Sequence, residues 1–277
     1  MLLRVRALLL VTVSAALALG STAATGAPTP ASPLPRPARS LVALVNTSAP
    51  TGNLFASQFC GAVLIGPREV MTVAHCLRQT DPRAVDAVVG AGNLCQGRPV
   101  TGQRIHVTGI KVSPAGSDSD VVLLTLDRAA FAPPAKIAPV PAGDGQNGFA
   151  QGWGRSALRG GYPCLPRTVP LTAGPAEACR VGLGAAEAAQ PTRDVWCATG
   201  SARSNTCVGD SGGPVYASTG PDVLLALTSW GIRDCAPGTV AYYSRVHPDL
   251  RTPGGATSTP AAPGLSWLTP FTTVDDR

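Results

Sequence analysis

Cys207-Val208-Gly209-Asp210-Ser211-Gly212-Gly213-Pro214 holds the densest chemistry in this chain of 277 residues. A serine hydroxyl is a poor nucleophile at neutral pH. It becomes useful beside a base, with donors nearby for the negative charge it creates. Small residues flank Ser211, so the backbone can turn tightly and leave the hydroxyl unshielded. Gly209 tolerates a positive φ and can aim its N–H outward with that of Ser211, the arrangement of an oxyanion hole. The same letters also spell an ordinary glycine-rich turn. What decides between the two is whether the chain supplies a base and an orienting carboxylate elsewhere.

Of the three histidines, only His75 ends an apolar run with a cysteine directly after it, in Val70-Met71-Thr72-Val73-Ala74-His75-Cys76. A Cys60–Cys76 disulfide would pin the turn that carries it. A lone histidine is otherwise most often a buried structural one, and that is how His106, alternating with apolar neighbours, is read. His247, before Pro248, reads as a surface turn residue. Asp120 abuts the apolar run Val121-Val122-Leu123-Leu124 directly, whereas Asp118 lies further out in the polar turn. A carboxylate there either caps its own turn or is a buried functional acid. In the second case it must be hydrogen-bonded, and an imidazole N–H is a suitable partner.

Short apolar or alternating runs recur between Gly, Pro and Asn punctuation: Leu41–Val45, Ala62–Ile65, Val85–Val89, Ile105–Val112, Val121–Leu126, Val223–Thr228 and Val240–Val246. β-Branched residues are frequent, and no long helical period precedes the C-terminal region. The fold class is therefore all-β. One alanine-rich patch, Pro175 to Ala189, reads as a turn or two of helix.

Apolar residues make up 44% and charged residues 14%, which suits a folded core. The net charge of +6 rests almost wholly on scattered arginines, the only lysines being Lys111 and Lys136. No basic run interleaves with aromatics, which argues against nucleic-acid binding. Arg4 and Arg6, the apolar run Ala7 to Leu19 and the small residues after it read as a signal peptide over 1–23, cleaved somewhere within 20–27. Export leaves no membrane association and places eight cysteines, an even number, in an oxidising compartment. Residues 24–40 form a Pro-rich propeptide or tether, and 251–277 a Pro/Gly/Thr-rich C-terminal extension.

Ala74-His75-Cys76, Asp120-Val-Val-Leu-Leu, Gly152-Trp153-Gly154, Gly209-Asp210-Ser211-Gly212-Gly213-Pro214 and Ser229-Trp230-Gly231 occur in the chain order of one family. From about Leu41 to Val246 the chain resembles the trypsin/chymotrypsin-like serine proteases, in which His precedes Asp and Asp precedes Ser. The resemblance implies two six-stranded Greek-key β-barrels, about 41–135 and 136–250, with the active site in the cleft between them. It implies a secreted endopeptidase with catalytic His75, Asp120 and Ser211 and an oxyanion hole of Gly209 and Ser211 N–H groups. Ser229 matches the serine that also bonds the buried Asp. No cofactor is implied, and the partners are protein or peptide substrates and protein protease inhibitors met by a monomer. A non-enzymatic binding or defence protein on the same fold, or an esterase with the same triad, would be the other readings.

The resemblance also implies the bridges Cys60–Cys76, Cys179–Cys197 and Cys207–Cys235. Cys95 and Cys164 match no standard pair but fall in loops that are close together in relatives, so they are expected to bond to each other. A further bridge common in relatives is missing at both ends, where Gly148 and Ala217 stand. The specificity pocket would be formed by Asn205, Thr206, Ser229, Trp230, Gly231 and Ala241. Asn205 replaces the acid of trypsins, so an uncharged residue of small to medium size is expected before the cleaved bond. No Cys-x-x-Cys or paired His spacing suggests a zinc site, and Gly92 to Pro99 lacks a carboxylate for calcium. No Ile/Val-Val-Gly-Gly activation terminus precedes Leu41, so Asp210 needs another partner, for which Arg155 is the candidate. Ser266-Trp267-Leu268, after the insert Thr252 to Gly264, would be the remnant of the family's C-terminal helix.

Overall fold

The apolar runs of the sequence become strands whose alternate side chains face a closed interior. In the computed structural model the described residues are 34–49, 54–78, 80–95, 101–112, 120–175, 195–231, 235–248 and 257–258. The signal-like segment, Cys179, the alanine-rich patch beyond Pro175, Ser117–Ser119 and the segment Ser266–Leu268 lie outside them.

Strands β1 (Leu41–Asn46), β2 (Gln58–Gly66), β3 (Glu69–Val73), β4 (Val85–Val89), β5 (Gln103–Val112) and β6 (Val121–Leu126) pair in the order β5-β4-β1-β2-β3-β6. β6 pairs back onto β5, which closes barrel one. A two-residue β7 (Lys136–Ile137) follows and pairs in parallel with Val223 and Leu224. Strands β8 (Gly148–Gly152), β9 (Arg167–Ala173), β10 (Val195–Gly200), β11 (Pro214–Ala217), β12 (Gly220–Gly231) and β13 (Val240–Arg245) close barrel two as β11-β8-β9-β10-β13-β12, with β12 returning to β11. A short β14 (Thr257–Ser258) adds to β5 opposite Val112 and Lys111. The protein is thus all-β, with two closed six-stranded antiparallel barrels. Closure leaves neither ring a free edge. Among the described residues helix is limited to 3₁₀ turns such as Phe55–Ser57 and Ala74–Leu77.

The seven runs read from the sequence fall in β1, β2, β4, β5, β6, β12 and β13. The alternation of β8 and β11 joins the two barrels. Phe149 and Tyr216, cross-strand partners, pack into the core of barrel one, while Ala150 and Val215, the next pair, face barrel two. A third cluster covers the outer face of β1 with Leu54, Leu94 and Trp153. Trp153 is fully buried, and its indole N–H donates to Gly92 O at 3.0 Å. The Gly-Trp-Gly motif is thereby fastened to barrel one.

The last part of the Pro-rich stretch is docked. Thr168 Oγ1 donates to Pro35 O at 3.2 Å, Gln151 Nε2 to Arg36 O at 3.1 Å, and Ala38 N–H to Gln151 Oε1 at 2.8 Å. The chain runs as a strap over β8 and β9 before it enters β1.

Candidate active site

β3 ends at Val73, opposite Val121 of β6, so the turn that follows lies beside the residue preceding β6. Ala74 N–H donates to Asp120 O at 2.6 Å, and His75 N–H donates to Asp120 Oδ1 at 3.1 Å. His75 Nδ1 lies 2.7 Å from Asp120 Oδ2, and Ser229 Oγ donates to the same oxygen at 2.9 Å. The carboxylate only accepts, so the proton sits on Nδ1 and Nε2 is left with its lone pair for the cleft. The histidine side chain is 28% exposed and that of Asp120 is 15% exposed. The pair is thus shielded at the carboxylate and more open at the imidazole.

The turn Cys207–Gly213 places Ser211 next to this pair through its main chain. Gly61 N–H donates to Ser211 O at 2.7 Å, and Gly61 follows Cys60, which is bonded to Cys76. Gly212 N–H donates to Thr228 O at 2.7 Å, beside Ser229. The serine turn and the histidine turn therefore share one anchor, the Cys60–Cys76 bridge. Among the described residues no hydrogen bond links the Ser211 hydroxyl to the imidazole or to another group.

Gly209 has φ +94°, a conformation that side chains disfavour. Val208 O accepts from Arg155 N–H at 2.9 Å, and Gly209 O accepts from Gln58 Nε2 at 3.2 Å. In a planar trans peptide C=O and N–H point oppositely. Anchoring the Val208 carbonyl on Arg155 thus directs the Gly209 N–H away from Arg155.

The buried partner of Asp210 is Arg167, and the expectation of Arg155 is corrected. Arg167 Nη2 lies 3.3 Å from Asp210 Oδ2 and also donates to Arg155 O at 2.6 Å, while its Nε donates to Gly154 O at 3.0 Å. Arg155 points elsewhere, its guanidinium 4.7 Å from the centre of the Tyr162 ring and its Nη1 donating to Leu158 O. The reason is register: Arg167 faces Gly152 across the β8–β9 ladder, so its side chain reaches along the Gly-Trp-Gly backbone to Asp210. Asp210 also accepts from Gly154 N–H at 2.8 Å and Cys207 N–H at 3.0 Å. A Cβ at Gly154 would collide with this carboxylate, which explains the glycine. Burial pushes the Asp210 carboxyl above the usual carboxylate range, against the pull of Arg167 and the two N–H donors.

The residues expected to form the pocket lie on β12, on β13 and in the segment before Cys207. Asn205 is buried, and its amide is engaged by the turn opposite: Nδ2 donates to Ala236 O at 3.1 Å and to Thr239 O and Oγ1 at 3.0 Å. Its Oδ1 accepts from Thr206 N–H at 2.9 Å. Thr206 Oγ1 is 3.0 Å from Tyr243 OH, and Ala241 pairs with Gly231 in the ladder. The Trp230 ring stacks on Tyr242 with centroids 3.7 Å apart. Gly231 is exposed with open space at its Cα.

Cys60–Cys76, Cys95–Cys164 and Cys207–Cys235 are bonded. Cys197 is also disulfide-bonded, and its expected partner Cys179 is outside the described residues. Gly148 and Ala217 face each other across β8 and β11, where the absent bridge would run. His106 is not buried as expected: its side chain is 40% exposed, with Nδ1 2.9 Å from Asp86 Oδ1. Arg167, Gln58 and Tyr162 carried no signal in the sequence, since each reaches the site through a ladder or loop remote in the chain. Among the described residues no group of three His, Cys, Asp or Glu is placed to hold a metal ion.

Comparison with known proteins gives the same family. The trypsin family model matches residues 35–250. A trypsin of Saccharopolyspora erythraea is 30% identical over 208 residues, covering 68% of this chain and 82% of its own. Glucanase inhibitor protein 3 of Phytophthora sojae is 28% identical over 205 residues, covering 68% of this chain and 74% of its own. Among solved structures, neuropsin, a serine protease expressed in the limbic system of mouse brain, is 25% identical with a TM-score of 0.59, covering 75% of this chain and 89% of its own. With two closed barrels, this order of motifs and these matches, the chain belongs to the trypsin/chymotrypsin-like serine protease family.

Proposed function

We propose that the protein is a secreted serine endopeptidase that cleaves peptide bonds through an acyl-enzyme. The observation that carries this is the Asp120 carboxylate, which receives His75 Nδ1 at 2.7 Å, Ser229 Oγ at 2.9 Å and His75 N–H at 3.1 Å. Three bonds to one carboxylate orient the ring and stabilise the imidazolium that forms when Nε2 takes a proton. Ser211 Oγ attacks the carbonyl carbon and its proton passes to His75. The oxyanion is met by the N–H groups of Gly209 and Ser211, and His75 then returns the proton to the leaving amine. One oxyanion donor contributes roughly 3–4 kcal/mol to such a transition state. Water repeats the cycle on the acyl-enzyme.

The pocket supports a preference for uncharged side chains of small to medium size. Asn205 is held by the protein through its amide donors and its acceptor and carries no charge, so it offers no ion-pair partner to a guanidinium or ammonium. An unpaired buried cation is costly. Residues 1–23 serve as the signal for export, 24–40 as a Pro-rich lead, 41–250 as the protease domain and 251–277 as an extension. The disulfides suit an extracellular monomer acting on proteins or peptides and open to protein inhibitors.

A fluorophosphonate probe should label wild-type protein at Ser211 and fail to label His75→Ala. A peptide-library profile should then show cleavage after uncharged residues. No labelling of folded wild-type protein would favour the second reading, a binding protein on this fold, for which a relative named as a glucanase inhibitor is the supporting observation. Hydrolysis of esters without any of peptides would overturn the peptidase assignment.

A further inference from the structure

We propose that Tyr162, tethered by Cys95–Cys164, is a positioning residue that holds the Gly209 N–H in its oxyanion-binding orientation; this rests on the peptidase reading above. Gly209 sits at φ +94° with no side chain to lodge it, so the two peptides flanking it can rotate at little cost unless something stops them. Their carbonyls are tied to Arg155 N–H and Gln58 Nε2. The Cα is blocked by Tyr162: a Cβ built on Gly209 would lie 2.7 Å from Tyr162 Cε1 and 3.2 Å from Gly154 Cα. Hence the aromatic ring packs on the Gly209 Cα and leaves it no room on that side.

The ring is itself held from three directions. Phe55 meets it edge-on at 6.0 Å and 79°, and the Arg155 guanidinium lies over it at 4.7 Å. Two residues on, Cys164 is bonded to Cys95, and Leu94 N–H donates to Cys164 O at 3.0 Å. Leu94 O in turn accepts from Leu54 and Phe55 N–H, so the loop that receives the disulfide also carries Phe55. A bridge with no role in either barrel wall thus connects barrel one to the residue packed on the oxyanion donor.

The test uses the full secreted chain and a chromogenic peptide chosen from its cleavage profile. Complete loss of one oxyanion donor costs about 10²–10³ in kcat, and a loosened donor should cost a part of that. Tyr162→Ala is expected to lower kcat about tenfold with KM changed less than about threefold. The pH profile should keep its inflections, since His75 and Asp120 are untouched. Affinity for a peptide aldehyde, whose adduct oxygen occupies the hole, should fall in step with kcat. Tyr162→Phe should restore kcat to within about twofold, because the ring and not the hydroxyl is at work. The double variant Cys95→Ser/Cys164→Ser should show the same signature to a lesser degree, and with Tyr162→Leu it carries the test if Tyr162→Ala does not accumulate. An unchanged kcat, a loss confined to KM, or a Phe variant as poor as Ala overturns the proposal. A wild-type protein that takes no fluorophosphonate overturns the peptidase reading itself, which is a separate result.

Discussion

Barrel one carries two imidazole–carboxylate pairs of nearly equal geometry: His75 Nδ1 to Asp120 Oδ2 at 2.7 Å and His106 Nδ1 to Asp86 Oδ1 at 2.9 Å. Their surroundings differ. Asp86 and His106 are cross-strand partners on β4 and β5, and the other Asp86 oxygen accepts from Arg104 Nε at 2.6 Å. Arg104 also donates to Ala49 O at 2.7 Å and Thr47 O at 2.8 Å, so this carboxylate fastens a guanidinium that holds the β1–β2 connection. Among the described residues no arginine pairs with Asp120. Its remaining partners are the His75 main chain and Ser229 of barrel two, and the serine turn is bonded to that same strand through Gly212 N–H and Thr228 O. The same pair of side chains is a surface brace in one place and a candidate proton relay in the other. What separates them is the third partner, since the chemistry resides in the site and not in a single contact.

The widest separation should come from the histidines. His75→Ala is expected to reduce kcat by about 10⁴–10⁶, the range for loss of a triad base, while His106→Ala should stay within about twofold in the same peptide assay. Asp120→Asn should cost about 10⁴ in kcat, a figure carried over from the family's own triad, through the wrong imidazole tautomer. Asp86→Asn should leave kcat alone and lower unfolding stability by roughly 1–3 kcal/mol in urea titration, because Arg104 loses its charge partner. Equal losses of activity in the two histidine variants would erase the distinction.

A third pair sharpens the comparison, since Arg167–Asp210 is more buried than either. Arg167→Met should cost about 3–5 kcal/mol by leaving an unpaired carboxylate inside, and should lower kcat through the turn at Gly209. Arg155→Met keeps that pair and should cost distinctly less in the same titration. The smallest expected effect is in pH. Asp210 has a folded-state pKa above its unfolded 3.8 because of burial, so the fold binds its proton more tightly. Its contribution to stability is then fullest below the unfolded value and declines as pH rises through the raised one. Melting temperatures measured across that window should show Asp210→Asn, which cannot titrate, improving relative to wild type as pH rises.

Much of the site could be read in the chain because its chemistry is local. His75 closes a strand beside Cys76, Asp120 opens one, and Gly209 to Gly213 can only be a tight turn. Arg167 could not be read so. It is an arginine among scattered arginines until the pairing of Gly152 with Arg167 sets it over Asp210. Arg155, adjacent to Gly154 in sequence, was the reasonable candidate, yet its side chain leaves the ladder to stack on Tyr162. His106 misled in the opposite sense. Alternation with apolar residues suggested a buried ring, but on a barrel strand one of the two faces looks outward, and His106 is on that face.

By itself the sequence determined the all-β class and the order of the three candidate catalytic residues, because strand periodicity and turn chemistry are written within a few residues, and its resemblance to the family marked Gly148 and Ala217 as the ends of an absent bridge. Only the tertiary structure decided which arginine neutralises Asp210, that Asn205 is engaged by the Ala236–Thr239 turn, and that Tyr162 covers Gly209. Those contacts join segments that the chain keeps apart, and they depend on ladder register and barrel closure, which fix distances that no local run of letters contains.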